Sequence, residues 1–204
     1  MIVLHYTAMT SAKAALERLC DEQAEVSAHY LICEKGRIWQ MVDEEMRAWH
    51  AGAGRWGEVS DVNSRSIGIE LANRGDHPFP ELQMAALEAL MPGIMARWRI
   101  PPERVIAHSD MAPGRKFDPG PRFDWHRLAR AGLSVWAVPE QPGDFEQDAA
   151  VFGYPVGDVD PDEILQAFRL RFRPWGEGAL CEADRAVMAG LAAGWPAPPE
   201  PRLG

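Results

Sequence analysis

The stretch from Val105 to Pro121, VIAHSDMAPGRKFDPGP, constrains this chain more than any other. It opens as a short apolar run that reads as a buried strand. The strand delivers His108 to its C-terminal end. The loop behind it holds three prolines and two glycines, a composition that stiffens a loop rather than loosening it. That loop carries Lys116 and Asp118 back toward the strand tip. An imidazole, an ammonium and a carboxylate near one point are the kit of a metal-assisted hydrolase: two kinds of ligand, and a cation for developing negative charge.

The N-terminus repeats the device. Ile2-Val3-Leu4 reads as a central strand that ends on His5. In open α/β sheets, sites gather at the carboxyl ends of the strands. One histidine at a strand tip reads as a hydrogen-bonded structural residue. Two at matching tips, with Asp118 nearby, read as metal ligands. Ser66–Leu71 is a third strand, β-branched, with Glu70 near its end. A carboxylate in an apolar strand is costly to bury charged unless it is paired. Glu70 therefore reads either as an edge or salt-bridged residue, or as a general base beside a metal-bound water, its pKa raised by desolvation.

Ser27–Ile32 and Arg37–Val42 flank Glu34-Lys35-Gly36, a hairpin signature. His29 in its first strand reads as a pocket-wall or satisfied core histidine rather than a ligand. Arg47–Gly54 is loop-like, and sets Trp49 and His50 beside small residues that let a substrate approach the backbone. Ligation by His50 is one reading. Substrate contact is the one favoured here, because His5, His108 and Asp118 already fill a three-ligand site with an open fourth position.

Helices are expected at Ser11–Cys20, capped by Thr10 or Ser11, and at Pro80–Trp98, with an apolar stripe of Leu82, Ala86, Leu87, Leu90, Ile94 and Trp98. Pro92 should kink or split the latter. A short helix follows at Asp124–Arg130. Pro, Gly, Gln and Glu then dominate from Trp136 to Gly143, a linker signature. Asp144 can cap a helix reaching Phe152, Asp160-Pro161-Asp162-Glu163 is a strong helix start, and Glu182–Ala193 is a further helix. The pattern predicts an α/β fold: a mixed central sheet flanked by helices over 1–136, a linker at 137–143, and a small three-helix unit over 144–196. Three short helices bury little surface alone, so docking onto the first unit is expected.

A formal net charge of −9 disfavours nucleic acid and anionic membrane surfaces as partners. Cys20, Cys33 and Cys181 are odd in number and far apart, so buried free thiols are expected. No signal-peptide pattern or membrane-length apolar run is present, and the sequence as written reads as cytoplasmic. It starts directly inside a strand, however, and a true N-terminus lying upstream would allow a periplasmic or cell-wall location.

Five segments in order, LHYT at 4–7, SAHYLI at 27–32, RAWHAG at 47–52, SIGIEL at 66–71 and AHSDMAPGRKFDPGP at 107–121, resemble the type 2 N-acetylmuramoyl-L-alanine amidases, related to peptidoglycan recognition proteins. Residues 144–193, with LQAFRLRFRP, more loosely resemble a three-helix peptidoglycan-binding domain. The resemblance implies Zn2+ held by His5, His108 and Asp118, Glu70 as the catalytic carboxylate and Lys116 facing the scissile carbonyl. Trp49, His50 and His29 would line a groove for peptidoglycan or muropeptide fragments. It implies hydrolysis of the amide between N-acetylmuramic acid and L-alanine. A non-catalytic peptidoglycan binder and a zinc peptidase cutting within the stem peptide are the alternatives. Relatives often place a catalytic Tyr before the hairpin histidine, where this chain has Ala28, which leaves Glu70 the base role. The family also usually has a segment before the first strand that is not in this sequence.

Overall fold

The computed structural model describes residues 1–197. Five strands, β1 (Ile2–Tyr6), β2 (Tyr30–Ile32), β3 (Ile38–Gln40), β4 (Ile67–Leu71) and β5 (Val105–Ala107), form one sheet in the order β3-β2-β4-β1-β5. All neighbours run parallel except the β2–β3 hairpin, so the sheet is mixed as expected. Gly36 turns the hairpin at φ +81°, a conformation that suits a residue without Cβ.

Alternation along the strands divides the sheet into two chemically different faces. Ile2, Leu4, Ile67, Ile69, Leu71, Val105 and Ala107 share a core with α2 (Glu81–Trp98) and α4 (Trp125–Arg130). The intervening positions, Val3 and His5 on β1, Gly68 and Glu70 on β4, and Ile106 on β5, face the other way. On that side α1 (Ala12–Leu19) packs near Leu31 of β2. Helices α5 (Phe145–Phe152), α6 (Pro161–Phe172) and α7 (Glu182–Gly194) pack near Val3 and Ile106. The polar strand ends lie between these two helical layers.

The helix starts follow their caps. Ser11, Asp124, Asp144 and Asp160 each accept a backbone N–H of the first turn with the side chain. Several expectations need correction. Helix α2 is continuous through Pro92, which lies on its exposed side. The buried face of α2 is Gln83, Met84, Leu87, Met91 and Ile94, a stripe with equally good helical spacing, while Leu82 and Trp98 are exposed. His108 begins a four-residue helical turn, α3 (His108–Met111), rather than a loop. Of the cysteines only Cys33 is buried. The last three helices do not enclose a core of their own: Phe152, Phe168 and Leu191 belong to one apolar cluster with Val3, Trp56, Ile106 and Met111.

Gln83 is the polar member of the buried α2 face. Its amide nitrogen donates to the carbonyls of Ile32 and Ala72 at 2.8 and 3.1 Å, tying the ends of β2 and β4 to the helix. Replacing it with leucine keeps the volume and removes both bonds. Gln83→Leu should lose about 1–3 kcal/mol of stability in urea denaturation.

Candidate metal centre

Strand register builds the site. His5 of β1 pairs with Glu70 of β4, and Leu4 pairs with Ala107, the residue before His108. The stiff return loop then brings in Asp118, whose backbone carbonyl accepts the Ser109 N–H at 3.0 Å. Three donor atoms meet. His5 Nδ1 lies 2.9 Å from His108 Nδ1 and 2.9 Å from Asp118 Oδ2, and His108 Nδ1 lies 3.0 Å from the same oxygen. All three residues are buried.

The surrounding hydrogen bonds decide which nitrogens carry protons. His108 Nε2 faces the carbonyl of Ala51 at 2.8 Å, so it donates and leaves Nδ1 bare. Ser66 Oγ donates to the Val62 carbonyl and sits 3.3 Å from His50 Nε2, which therefore donates to it. His50 Nδ1 is then an acceptor, and His5 Nε2, 3.0 Å away, donates to it. That leaves His5 Nδ1 bare as well. Two imidazole lone pairs and a carboxylate oxygen thus point at one another with no proton assigned between them. Such a triangle is unfavourable without a cation, and donors 2.0–2.1 Å from a tetrahedral ion lie roughly 3.3 Å apart, close to the spacing here.

Burial sets the titration of the group. It lowers His5 to about 4, helped by His108 and opposed by Asp118. It would raise Asp118, but the adjacent His108 and His5 outweigh it and hold that carboxyl well below its ordinary range. Burial pushes Glu70 up to about 8, with Asp118 adding to the effect and Lys116 opposing it. One Glu70 oxygen, Oε2, is buried with no hydrogen-bond partner. His5, Glu70, His108, Lys116 and Asp118 all line a cleft of about 580 Å³.

A model of the N-acetylmuramoyl-L-alanine amidase family, Amidase_2, matches residues 1–121. The chain belongs to the N-acetylmuramoyl-L-alanine amidase family. It is 39% identical to the N-acetylmuramoyl-L-alanine amidase AmiD of Escherichia coli over 93% of this chain and 80% of that one. The structure of AmiD in complex with the substrate anhydro-N-acetylmuramic acid-L-Ala-D-γ-Glu-L-Lys superposes with a TM-score of 0.86 and 37% identity, covering 95% of this chain and 88% of the other. AmpDh3 of Pseudomonas aeruginosa, in complex with anhydromuramic pentapeptide, gives 0.86 at 32% identity, covering 97% and 92%. The 1,6-anhydro-N-acetylmuramyl-L-alanine amidase AmpD of Haemophilus influenzae is 42% identical over 52% of this chain and 58% of its own.

Within this amidase fold the expected residues fall into four groups. His5, His108, Asp118, Glu70 and Lys116 share the cleft. Trp49, 56% exposed, stands on the wall between it and an adjoining cleft of about 650 Å³. His29 does not line either cleft. Its Nδ1 accepts the Gly68 N–H, its Nε2 donates to the Met46 carbonyl, and burial lowers its pKa, so it is a satisfied core histidine and not a groove residue. His50 reaches the cleft wall, but it is 8% exposed and both ring nitrogens are engaged internally. Its hydrogen bonds serve His5 rather than a substrate. Sequence reasoning missed Asn63 and Ser66. Asn63 Oδ1 accepts the N–H groups of His50 and Ala51, pinning the loop that supplies a partner to each histidine. Nothing in their spacing marks them, because the link exists only across the folded loop.

A Cβ on Gly68 would overlap the His50 ring. Gly68→Ala and His50→Ala should both weaken divalent-ion affinity, roughly 10- to 100-fold for loss of a hydrogen-bond partner that orients a ligand. Chelator competition with the folded variants checks this.

Proposed function

We propose that this chain hydrolyses the amide between the lactyl group of N-acetylmuramic acid and L-alanine, with zinc held by His5, His108 and Asp118. The observation that carries the reading is the triangle of bare donors, His5 Nδ1, His108 Nδ1 and Asp118 Oδ2, opening on a cleft that also holds an unpartnered carboxylate. Two imidazoles and one carboxylate suit zinc, and three protein ligands leave room for a fourth. When bound there, zinc supplies Lewis-acid polarisation and a lowered pKa for water.

The chain's own residues supply the rest. Glu70 accepts a proton as water adds to the carbonyl carbon, and returns it to the amine nitrogen as the C–N bond breaks. Its desolvated carboxyl holds that proton better than an ordinary one, which suits a group that must both take and give it. Lys116 brings an ammonium to the carbonyl oxygen as negative charge gathers there. Trp49 offers an exposed ring to the substrate, packed on the far side by the Arg47 guanidinium at 4.2 Å.

Support for a muropeptide substrate comes from AmiD and AmpDh3, whose structures were solved with anhydromuramyl peptides and superpose over nearly all of this chain. Incubation with a muropeptide followed by mass spectrometry is the direct test. Separation of intact stem peptide from the sugar is the expected result. Unaltered masses from the zinc-loaded protein would point to a binder, and a cut inside the stem to a peptidase.

Lys116→Ala should lower kcat by roughly 100- to 1000-fold while zinc content is unchanged. Unaltered kcat would take Lys116 out of the reaction.

Glu70 also gives a pH signature in the metal-free protein. Its folded pKa of about 8 lies above the ordinary 4.5, so between these values the folded state holds a proton that the unfolded state has released. Its contribution to stability is full below about 4.5 and is lost as pH rises through about 8. Urea denaturation with chelator present should show wild type losing stability relative to Glu70→Gln as pH rises from about 5 to about 8.

A further inference from the structure

We propose that Arg171, on α6, is a positioning residue for the metal centre, acting through Asp110. The inference rests on the metal-binding reading above and extends it to a helix outside the cleft. Arg171 and Asp110 are both fully buried and paired. Asp110 Oδ2 also accepts the Ala107 N–H at 2.8 Å, and its Oδ1 accepts the Tyr154 hydroxyl at 2.8 Å. The other arm of the guanidinium, Nη2, donates to the Val105 carbonyl at 3.0 Å and to Ser134 Oγ at 3.1 Å. Trp125 lies against its face at 4.2 Å. One cation thus grips the start of β5 and, through Asp110, the start of α3.

Those two points bracket His108. Asp110 closes the helical turn on the Ala107 N–H, and His108 is the first residue of that turn. The next residue, Ser109, holds the backbone of Asp118 through its N–H. Two of the three donors therefore hang on the turn that Asp110 fixes. Helix α6 meets the return loop as well: a Cβ on Gly114, at φ +72°, would overlap the Glu163 carboxyl. A buried carboxylate stripped of its guanidinium is an uncompensated charge, and it does not stay where the pair held it.

A second ion pair in the same helices provides the control. Arg169 binds Asp184, fully buried and also paired with Arg173, and the carbonyls of Gly178 and Ala179, all within the α6–α7 region and away from residues 105–118. If Arg171 only stabilises the fold, its loss, like that of Arg169, should lower Tm and leave metal affinity unchanged.

The test measures Co2+ binding to the full chain by chelator competition and visible absorption, at a temperature where far-UV circular dichroism shows each variant folded. Arg171→Met should raise the Co2+ dissociation constant roughly 10- to 100-fold and change the ligand-field bands. Arg171→Lys should restore part of the loss. Arg169→Met should lower Tm and leave Co2+ affinity and spectrum as in wild type. Should Arg171→Met not fold, Tyr154→Phe removes a single bond to Asp110 and should raise the constant about fivefold. Wild-type affinity and spectrum in folded Arg171→Met, or in Tyr154→Phe where that variant stands in, overturns the proposal. A wild-type chain that binds no Co2+ overturns the metal reading itself, and the proposal with it.

Discussion

Three electron-pair donors that face one another without a proton between them are an electrostatic debt, and the site is organised around it. His5 Nδ1, His108 Nδ1 and Asp118 Oδ2 meet at 2.9–3.0 Å only because every other polar atom of the two imidazoles is already committed. The chain His5–His50–Ser66–Val62 fixes one tautomer, and the Ala51 carbonyl fixes the other. Both partners come from adjacent residues of one loop, which Asn63 clamps by two backbone N–H groups. A hydrogen bond to the far nitrogen of a ligating histidine sets both its orientation and its basicity. Here one side chain holds that loop and so governs both.

The sheet explains why such an arrangement can be kept rigid. Parallel neighbours in register put His5 beside Glu70 and place His108 one residue past the Leu4–Ala107 pair. Gly68, two residues before Glu70, leaves the space that His50 occupies. Because side chains alternate, the same five-residue strand β4 sends Ile67, Ile69 and Leu71 into the apolar core and presents Gly68 and Glu70 to the site. A shift of one residue in the pairing would exchange these sets, burying a carboxylate under α2 and exposing three aliphatic side chains, so the apolar face enforces the register that the chemistry needs.

Legibility in the sequence followed the range of the interaction. The histidines at strand tips, the carboxylate in β4 and the returning Asp118 were readable, because each depends on a strand of a few residues and a stiff loop. The helix starts at Ser11, Asp124, Asp144 and Asp160 were readable because a cap is a contact between residues two or three apart. What could not be read lies across the fold. His50 looked like a groove residue since nothing in RAWHAG reveals that its ring turns inward to His5. For His29 a place on the pocket wall and a place in the core read equally well, and the Gly68 N–H and the Met46 carbonyl, which absorb both its nitrogens, decide for the core. On α2 two apolar stripes compete, and only the sheet beneath selects Met84, Leu87, Met91 and Ile94 over a stripe through Leu82 and Trp98.

Arg171 is the clearest case of a role that periodicity conceals. In LQAFRLRFRP it sits three residues from Phe168 and next to Phe172, where a basic residue ordinarily marks the solvated edge of an amphipathic helix. In the fold Arg169, two residues earlier, keeps partial exposure while Arg171 has none. The difference is set by what lies opposite: Asp184 for one, Asp110 and the Val105 carbonyl for the other. Taking a guanidinium out of water is costly, and a hydrophobic residue of similar volume would often serve stability as well. The retained pair gives what an apolar contact would not, a fixed direction. Hydrogen bonds to Asp110 and to the Val105 carbonyl determine where β5 ends and how the turn bearing His108 begins. The apolar cluster shared by α5–α7, Val3 and Ile106 supplies cohesion, and the ion pair within it supplies register.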